Sequence, residues 1–240
     1  MAKKSRTPAP PRKVQAPQRR VEPRRQRTAE EKRTLYISIA FAASGLAAIA
    51  IVAALFFAFG RGGGDSKPKA VQENQLIGLQ TGPAPWNAGL DHLPDRMRPL
   101  GMSELGAEGQ GVVTHIHMHL DIFVNGKRKT VPALIGIFNT AGGFLAELHT
   151  HDTSGIIHVE SPSKTRKFSL GEFFGVWGVR FTPTCIGGYC KPKTQWQVYV
   201  NGKRYAGDPT KMVLVKHQEI AVVIGKPPHN IPSTYAFGGL

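Results

Sequence analysis

Val112-Val113-Thr114-His115-Ile116-His117-Met118-His119-Leu120-Asp121-Ile122-Phe123-Val124-Asn125-Gly126 is the stretch on which the reading of the fold turns. From Ile116 every even position is apolar, whereas the odd positions carry His115, His117, His119 and Asp121. Side chains at i and i+2 of a strand point the same way, so the pattern predicts a β-strand with one buried face and a row of imidazoles on the other. Asn125-Gly126 suits the two positive-φ positions of a tight hairpin, returning through Lys127 to Ile135.

A second alternating run follows at Leu148-His149-Thr150-His151, with His158 close behind, so that six of the nine histidines fall within 44 residues. Between them, Asp152-Thr153-Ser154-Gly155 has Asp and Gly at the first and fourth positions of a type I turn. Closing a hairpin there pairs His149 with His158 and His151 with Ile156. One face then displays Glu147, His149, His151, His158 and Glu160, and the other Leu148, Thr150, Ile157 and Val159.

Further downstream, Ser169-Leu170-Gly171-Glu172 matches a capping box and predicts a short helix to about Trp177. Gln195–Val200, the turn at Asn201-Gly202, Met212–Val215 and Glu219–Ile224 read as more strands. Val-Asn-Gly-Lys-Arg occurs at 124–128 and again at 200–204, which a duplicated hairpin or an ordinary turn sequence would each explain. Residues 111–226 are thus expected to form one mainly-β (α+β) domain, a β-sandwich or a β-grasp-like fold with a short helix, and residues 227–240 a C-terminal tail.

Upstream the pattern changes. Residues 60–110 open with Gly60-Arg61-Gly62-Gly63-Gly64, have poor periodicity, and contain Pro94 and Pro99 inside an otherwise helix-compatible stretch; they read as a linker or stalk. Leu35 to Phe59 is a run of 25 residues without a charge. As a helix it would span about 37 Å, enough to cross a hydrocarbon core of about 30 Å with some tilt. A cleaved signal peptide is the competing reading, but its apolar region is usually only about 7–15 residues.

Residues 1–34 hold 12 Lys/Arg against Glu22, Glu30 and Glu31, and so supply +9 of the net +15. The basicity is therefore local, which removes the charge argument for nucleic-acid binding. With Pro8, Pro10, Pro11, Pro17 and Pro23 the tail cannot bury enough apolar surface to fold and is expected to be disordered. Positive charge stays on the cytoplasmic side, so the expected arrangement is a single-pass plasma-membrane protein with its N-terminus in the cytoplasm and its C-terminal domain extracytoplasmic. The lipid bilayer is the expected partner, the basic tail serving as a topology determinant or a grip on anionic headgroups.

Neutral imidazole is the commonest metal ligand, and zinc or copper takes three or four such donors at about 2.0–2.2 Å. His115, His117, His119, His149, His151 and His158 are the candidate ligands for a copper or zinc ion. Asp121, Glu147 and Glu160 are candidates for extra ligands or for carboxylates that orient a ring. The alternatives are half-buried histidines bonded to carboxylates and a proton-sensitive patch. His92, His217 and His229 lie in stalk, turn and tail contexts and read as structural.

Cys185-Ile186-Gly187-Gly188-Tyr189-Cys190 is the sole cysteine pair, and outside the membrane a disulfide is expected. Closing so small a loop stabilises by roughly 2 kcal/mol in the chain-entropy model. A thiolate pair joining the histidines around a metal and a redox role are the alternatives. No G-x-S-x-G, P-loop, G-x-G-x-x-G or H-E-x-x-H pattern is present.

His115–Gly126, Leu148–Ser161 and Phe168–Gly178, the last reading Phe-Ser-Leu-Gly-Glu-Phe-Phe-Gly-Val-Trp-Gly, resemble the motifs of an uncharacterised bacterial family of single-pass membrane-anchored extracytoplasmic proteins. The resemblance covers roughly residues 85–225 and implies domain boundaries rather than an activity. The expected function is a metal-binding module engaged in metal delivery or sensing rather than an enzyme. A metal-dependent oxidase or hydrolase with Glu147 as base, and a metal-free adhesion or scaffold domain, are the rival classes.

Overall fold

The computed structural model describes residues 67–106, 111–138 and 143–240. The basic tail, the apolar segment 35–59 and the glycine-rich start of the linker lie outside the described residues. No helix among the described residues is long and apolar enough to cross a membrane. The unit beginning at Gly63 is mainly β.

Its elements are β1 (Glu104–Gly106), β2 (Thr114–Val124), β3 (Lys127–Lys129), β4 (Ile137–Phe138), β5 (Phe144–Ala146), β6 (Leu148–His149) and β7 (Ile156–Ser161), followed by β8 (Cys185–Ile186), β9 (Tyr189–Cys190), β10 (Trp196–Val200), β11 (Lys203–Arg204) and β12 (Glu219–Ile224). Among the described residues two α-helices join them, α1 (Leu93–Leu100) and α2 (Leu170–Trp177). The main sheet runs β11-β10-β12-β2-β7-β6, with β3 also paired to β2, and all its pairs are antiparallel except β12 beside β2. A three-stranded sheet, β1-β5-β4, and the β8-β9 pair complete it.

Both Asn-Gly pairs form the expected turns, with φ of 49° and 78° at Asn125-Gly126 and 50° and 74° at Asn201-Gly202. Helix α2 starts on the capping box: Glu172 N–H donates to Ser169 Oγ, and Ser169 N–H donates to the Glu172 carboxylate. Its Phe173, Phe174, Val176 and Trp177 pack with Met118, Leu120, Ile157, Val159, Val222 and Trp196 to form the main core on one face of the sheet.

The alternation predicts one buried face for β2, but both are buried from His117 to Phe123. The strand is central in the sheet, and the C-terminal residues fold back over its odd-numbered face. Ile231 packs on Phe123, Ala221 and Val223, and the Tyr235 ring stacks on His119 with centroids 3.8 Å apart. Residues 227–240 are thus in part a covering segment rather than a bare tail.

The stalk reading of 60–110 also needs correction over its described part. Trp86, Leu93, Met97 and Leu100 belong to the main core, and β1 pairs with β5. Pro94 is tolerated because it occupies the first turn of α1, where no intrahelical N–H is needed, whereas Pro99 lies inside the helix one residue before its end. Buried Arg96 then ties α1 to α2 by donating to the carbonyls of Gly175, Val176, Ile77, Asp91 and Gly89. Met212–Val215, expected as a strand, makes only the isolated bridge between Val213 and Ser169.

Candidate metal centre

Strand register assembles the histidines. The β2–β7 pairing sets His117 opposite His158 and His115 opposite Glu160, and the β6–β7 pairing sets His149 opposite His158. Ile157 and Val159 are in the core, so His158 stands on the other face. His117, His158 and His149 form a row across three strands, with ring centroids 4.4 Å apart for the first pair and 5.2 Å for the second. The turn after β6 brings exposed His151 to the same place, 4.5 Å from the His158 ring.

The donor atoms are oriented as well as close. His149 is fully buried, and its Nδ1 lies 2.9 Å from the Ala146 carbonyl oxygen. A carbonyl only accepts, so Nδ1 carries the proton and Nε2 the lone pair. That Nε2 is 3.2 Å from His151 Nε2. A tetrahedral zinc site with bonds of about 2.0–2.1 Å has ligand nitrogens about 3.3 Å apart, so the spacing suits two ligands of one ion. Glu160 Oε1 lies 3.8 Å from His149 Nε2, 4.0 Å from His158 Nδ1 and 3.2 Å from His115 Nε2. One donor atom each from His149, His151, His158 and Glu160 lie within 4.8 Å of one another, as do donor atoms of His115, His117 and His158.

Both ring nitrogens of His117 and Nδ1 of His158 are buried without a hydrogen-bond partner. A buried polar atom left unpaired costs about 1–3 kcal/mol, so three such atoms need an explanation. Burial, with the neighbouring histidines second, pushes the His158 imidazole down to about 3. Burial likewise pushes His149 down to about 4, against a smaller opposing effect of the Ala146 carbonyl. His117 is lowered for the same leading reason, with His115 next. At neutral pH these rings are uncharged, the form that coordinates a cation.

His119 is two residues from His117 on the same face, yet it belongs to a different cluster. Its Nδ1 is 2.7 Å from Glu219 Oε2 and its Nε2 2.9 Å from the Ser154 carbonyl. Glu219 is alongside because β12 runs parallel to β2 with these two residues in register. Burial pushes the Glu219 carboxyl up, and the His119 hydrogen bond opposes the rise. Asp121 pairs with Arg128. His119, Asp121 and Glu219 have the spacing of a second metal-ligand group. Both His119 nitrogens already face an oxygen, however, and Arg128 already supplies positive charge.

Of the expected ligands, the structure therefore gathers His115, His117, His149, His151 and His158 with Glu160, and separates His119 and Asp121. Glu147, expected beside the histidines, turns elsewhere: it accepts from Arg166, from Ser161 Oγ at 2.6 Å and from the Ser103 N–H. That removes it as a base for metal-bound water. Glu219 begins the expected strand Glu219–Ile224, and only the non-local parallel pairing brings it to His119. His217 bonds the Leu240 carbonyl and stacks on Phe237, as fits a structural residue.

Cys185 and Cys190 face each other across β8 and β9 and form a disulfide, so no thiolate is available to the histidines. Arg180 donates to the Cys190 sulfur at 3.3 Å. Comparison of the chain with protein-family models, with curated proteins and with solved structures returns no match.

Proposed function

We propose that this protein is a membrane-anchored, extracytoplasmic module that binds copper or zinc through the histidine cluster and serves metal delivery or sensing rather than catalysis. The observation that carries the reading is the set of buried, unpartnered nitrogens on His117 and His158, facing other imidazoles and Glu160. A metal-free scaffold would have its buried histidines hydrogen-bonded, as His119 is. The residues present fit a borderline-soft divalent cation: neutral imidazoles dominate, with one carboxylate and no thiolate. When bound, such an ion supplies Lewis acidity and, for copper, one-electron chemistry; the chain's own residues orient the donors, with His117 and His149 buried and His115 and His151 exposed.

The scaffold is β-grasp-like in this reading. In its support, two parallel central neighbours, β2 and β12, are each flanked by an antiparallel strand, and α2 packs across one face. The anchor rests on the 25-residue apolar segment, the orientation on the basic tail, and both agree with the family resemblance drawn from the histidine motifs.

Elemental analysis of the full chain, extracted in detergent and purified without a polyhistidine tag, tests the metal. At least one copper or zinc per chain is expected; none, even after incubation with either metal, ends the reading. A reporter enzyme active only after export, fused at Leu240, should be active, and an inactive fusion would reverse the orientation.

A further inference from the structure

The donor set is larger than one ion needs. His115, His117, His149, His151, His158 and Glu160 offer six side chains, whereas zinc usually takes four ligands. They also do not collapse to one point. One group, on the β6 side, comprises His149, His151, His158 and Glu160; the other, on the β2 side, comprises His115, His117 and His158. Two features join the halves. His158 belongs to both groups, and Glu160 Oε1 reaches nitrogens of both, at 3.2 Å from His115 Nε2 and 3.8 Å from His149 Nε2. A carboxylate has two oxygens and can serve two cations at once, and a glutamate that is nine-tenths buried gains by doing so.

We infer that the cluster is a two-metal site in which Glu160 is shared between one ion held by His115 and His117 and a second held by His149 and His151, with His158 between them. This rests on the metal-binding reading above. The unpartnered state of both His117 nitrogens supports it independently of the His149–His151 half, because a single ion at that half leaves the His117 nitrogens unsatisfied. The two halves differ in access. His115 and His151 are exposed, and His117 and His149 buried, so each ion has one outer ligand through which it can enter and leave.

Copper(II) titration of the full chain, followed by elemental analysis and electron paramagnetic resonance, tests the inference. Two coppers per chain are expected, with the isolated-ion signal of the first equivalent giving way to a half-field transition at the second. His151→Ala removes an exposed turn residue and should leave the fold intact by circular dichroism. It should lower uptake from two to one and restore the isolated-ion signal; His115→Ala should do the same from the other half. One copper per wild-type chain overturns the second ion and leaves the metal reading standing. Two coppers without magnetic coupling overturn the sharing of Glu160. Loss of both ions, or of neither, in both variants overturns the division into halves. No copper at all overturns the metal reading itself and this inference with it.

Discussion

His117 and His119 are the same residue type, two positions apart on the same face of the same strand, and both are buried. Their surroundings are opposite in kind. His119 has an oxygen at each ring nitrogen and an aromatic ring over its face, whereas His117 has no partner at either nitrogen and other histidines beside it. The cause is what stands across from each. For His119 that is Glu219 on one side; for His117 it is His158. A buried histidine is thus structural or poised for a ligand according to its cross-strand neighbours, and its own position in the motif does not decide which.

The sharpest way to break this contrast is to remove each imidazole in turn. His119→Leu takes from buried Glu219 its hydrogen-bonded partner, so a loss of about 3–5 kcal/mol in denaturant unfolding is expected. His117→Leu replaces two unpaired nitrogens with hydrocarbon and should leave the metal-free protein as stable or more stable, by up to about 1 kcal/mol. Equal destabilisation by both changes would show that the two sites are alike.

Metal affinity should respond in the reverse order. His149→Ala and His158→Ala each remove a proposed ligand and should weaken copper or zinc binding by at least about 100-fold, which is roughly 3 kcal/mol. His119→Gln keeps a polar partner for Glu219 and should leave uptake unchanged in isothermal titration. A large loss of affinity in His119→Gln would merge the two clusters into one functional site.

Acid should sharpen the contrast further in the chelator-treated protein. Burial holds His149 at about 4 when folded, against about 6.5 for a free imidazole. Between those values the unfolded chain binds more protons, so stability is fully present above about pH 6.5 and falls as the pH drops toward 4, by roughly 3 kcal/mol from this residue. Thermal melts between pH 7 and pH 4 should show the decline, and His149→Phe should reduce it, leaving the part that buried His158 contributes. A decline that persists undiminished in that variant would assign the acid sensitivity to other groups.

Much of the arrangement is legible in sequence because it is local. The alternation of Ile116 to Val124, both Asn-Gly turns, the Ser169–Glu172 cap and the turn at Asp152–Gly155 each depend on a few consecutive residues, and from the last of these the facing of His149 and His158 follows by counting. What escapes is non-local. Nothing near His119 in the chain announces Glu219, a hundred residues away and brought in by a parallel pairing. Glu147 alternates with the histidines as a ligand should, but Arg166 and Ser161 offer it closer partners. The stretch 67–106 has too weak a periodicity and too many prolines to be read as domain, although Arg96 and Trp86 fix it there.

The smallest expected effect concerns the cover over His119, whose two ring nitrogens both have partners. Tyr235 lies flat on His119, the planes 12° apart, and meets Phe237 edge-on; among the described residues it makes no ring contact with the candidate metal-ligand cluster. Aromatic pairs of this kind contribute about 0.5–1.5 kcal/mol beyond the area they bury. Tyr235→Ala should therefore cost the fold about 1 kcal/mol, expose the His119–Glu219 pair to water, and leave metal affinity unchanged. The exposed pair is also expected to weaken, since solvent screens an ion pair that is otherwise buried on both sides. Measured together, unfolding midpoint and metal affinity separate the two regions: a fall in the first alone keeps the C-terminal segment as a structural cover, and a fall in both makes it part of the metal centre.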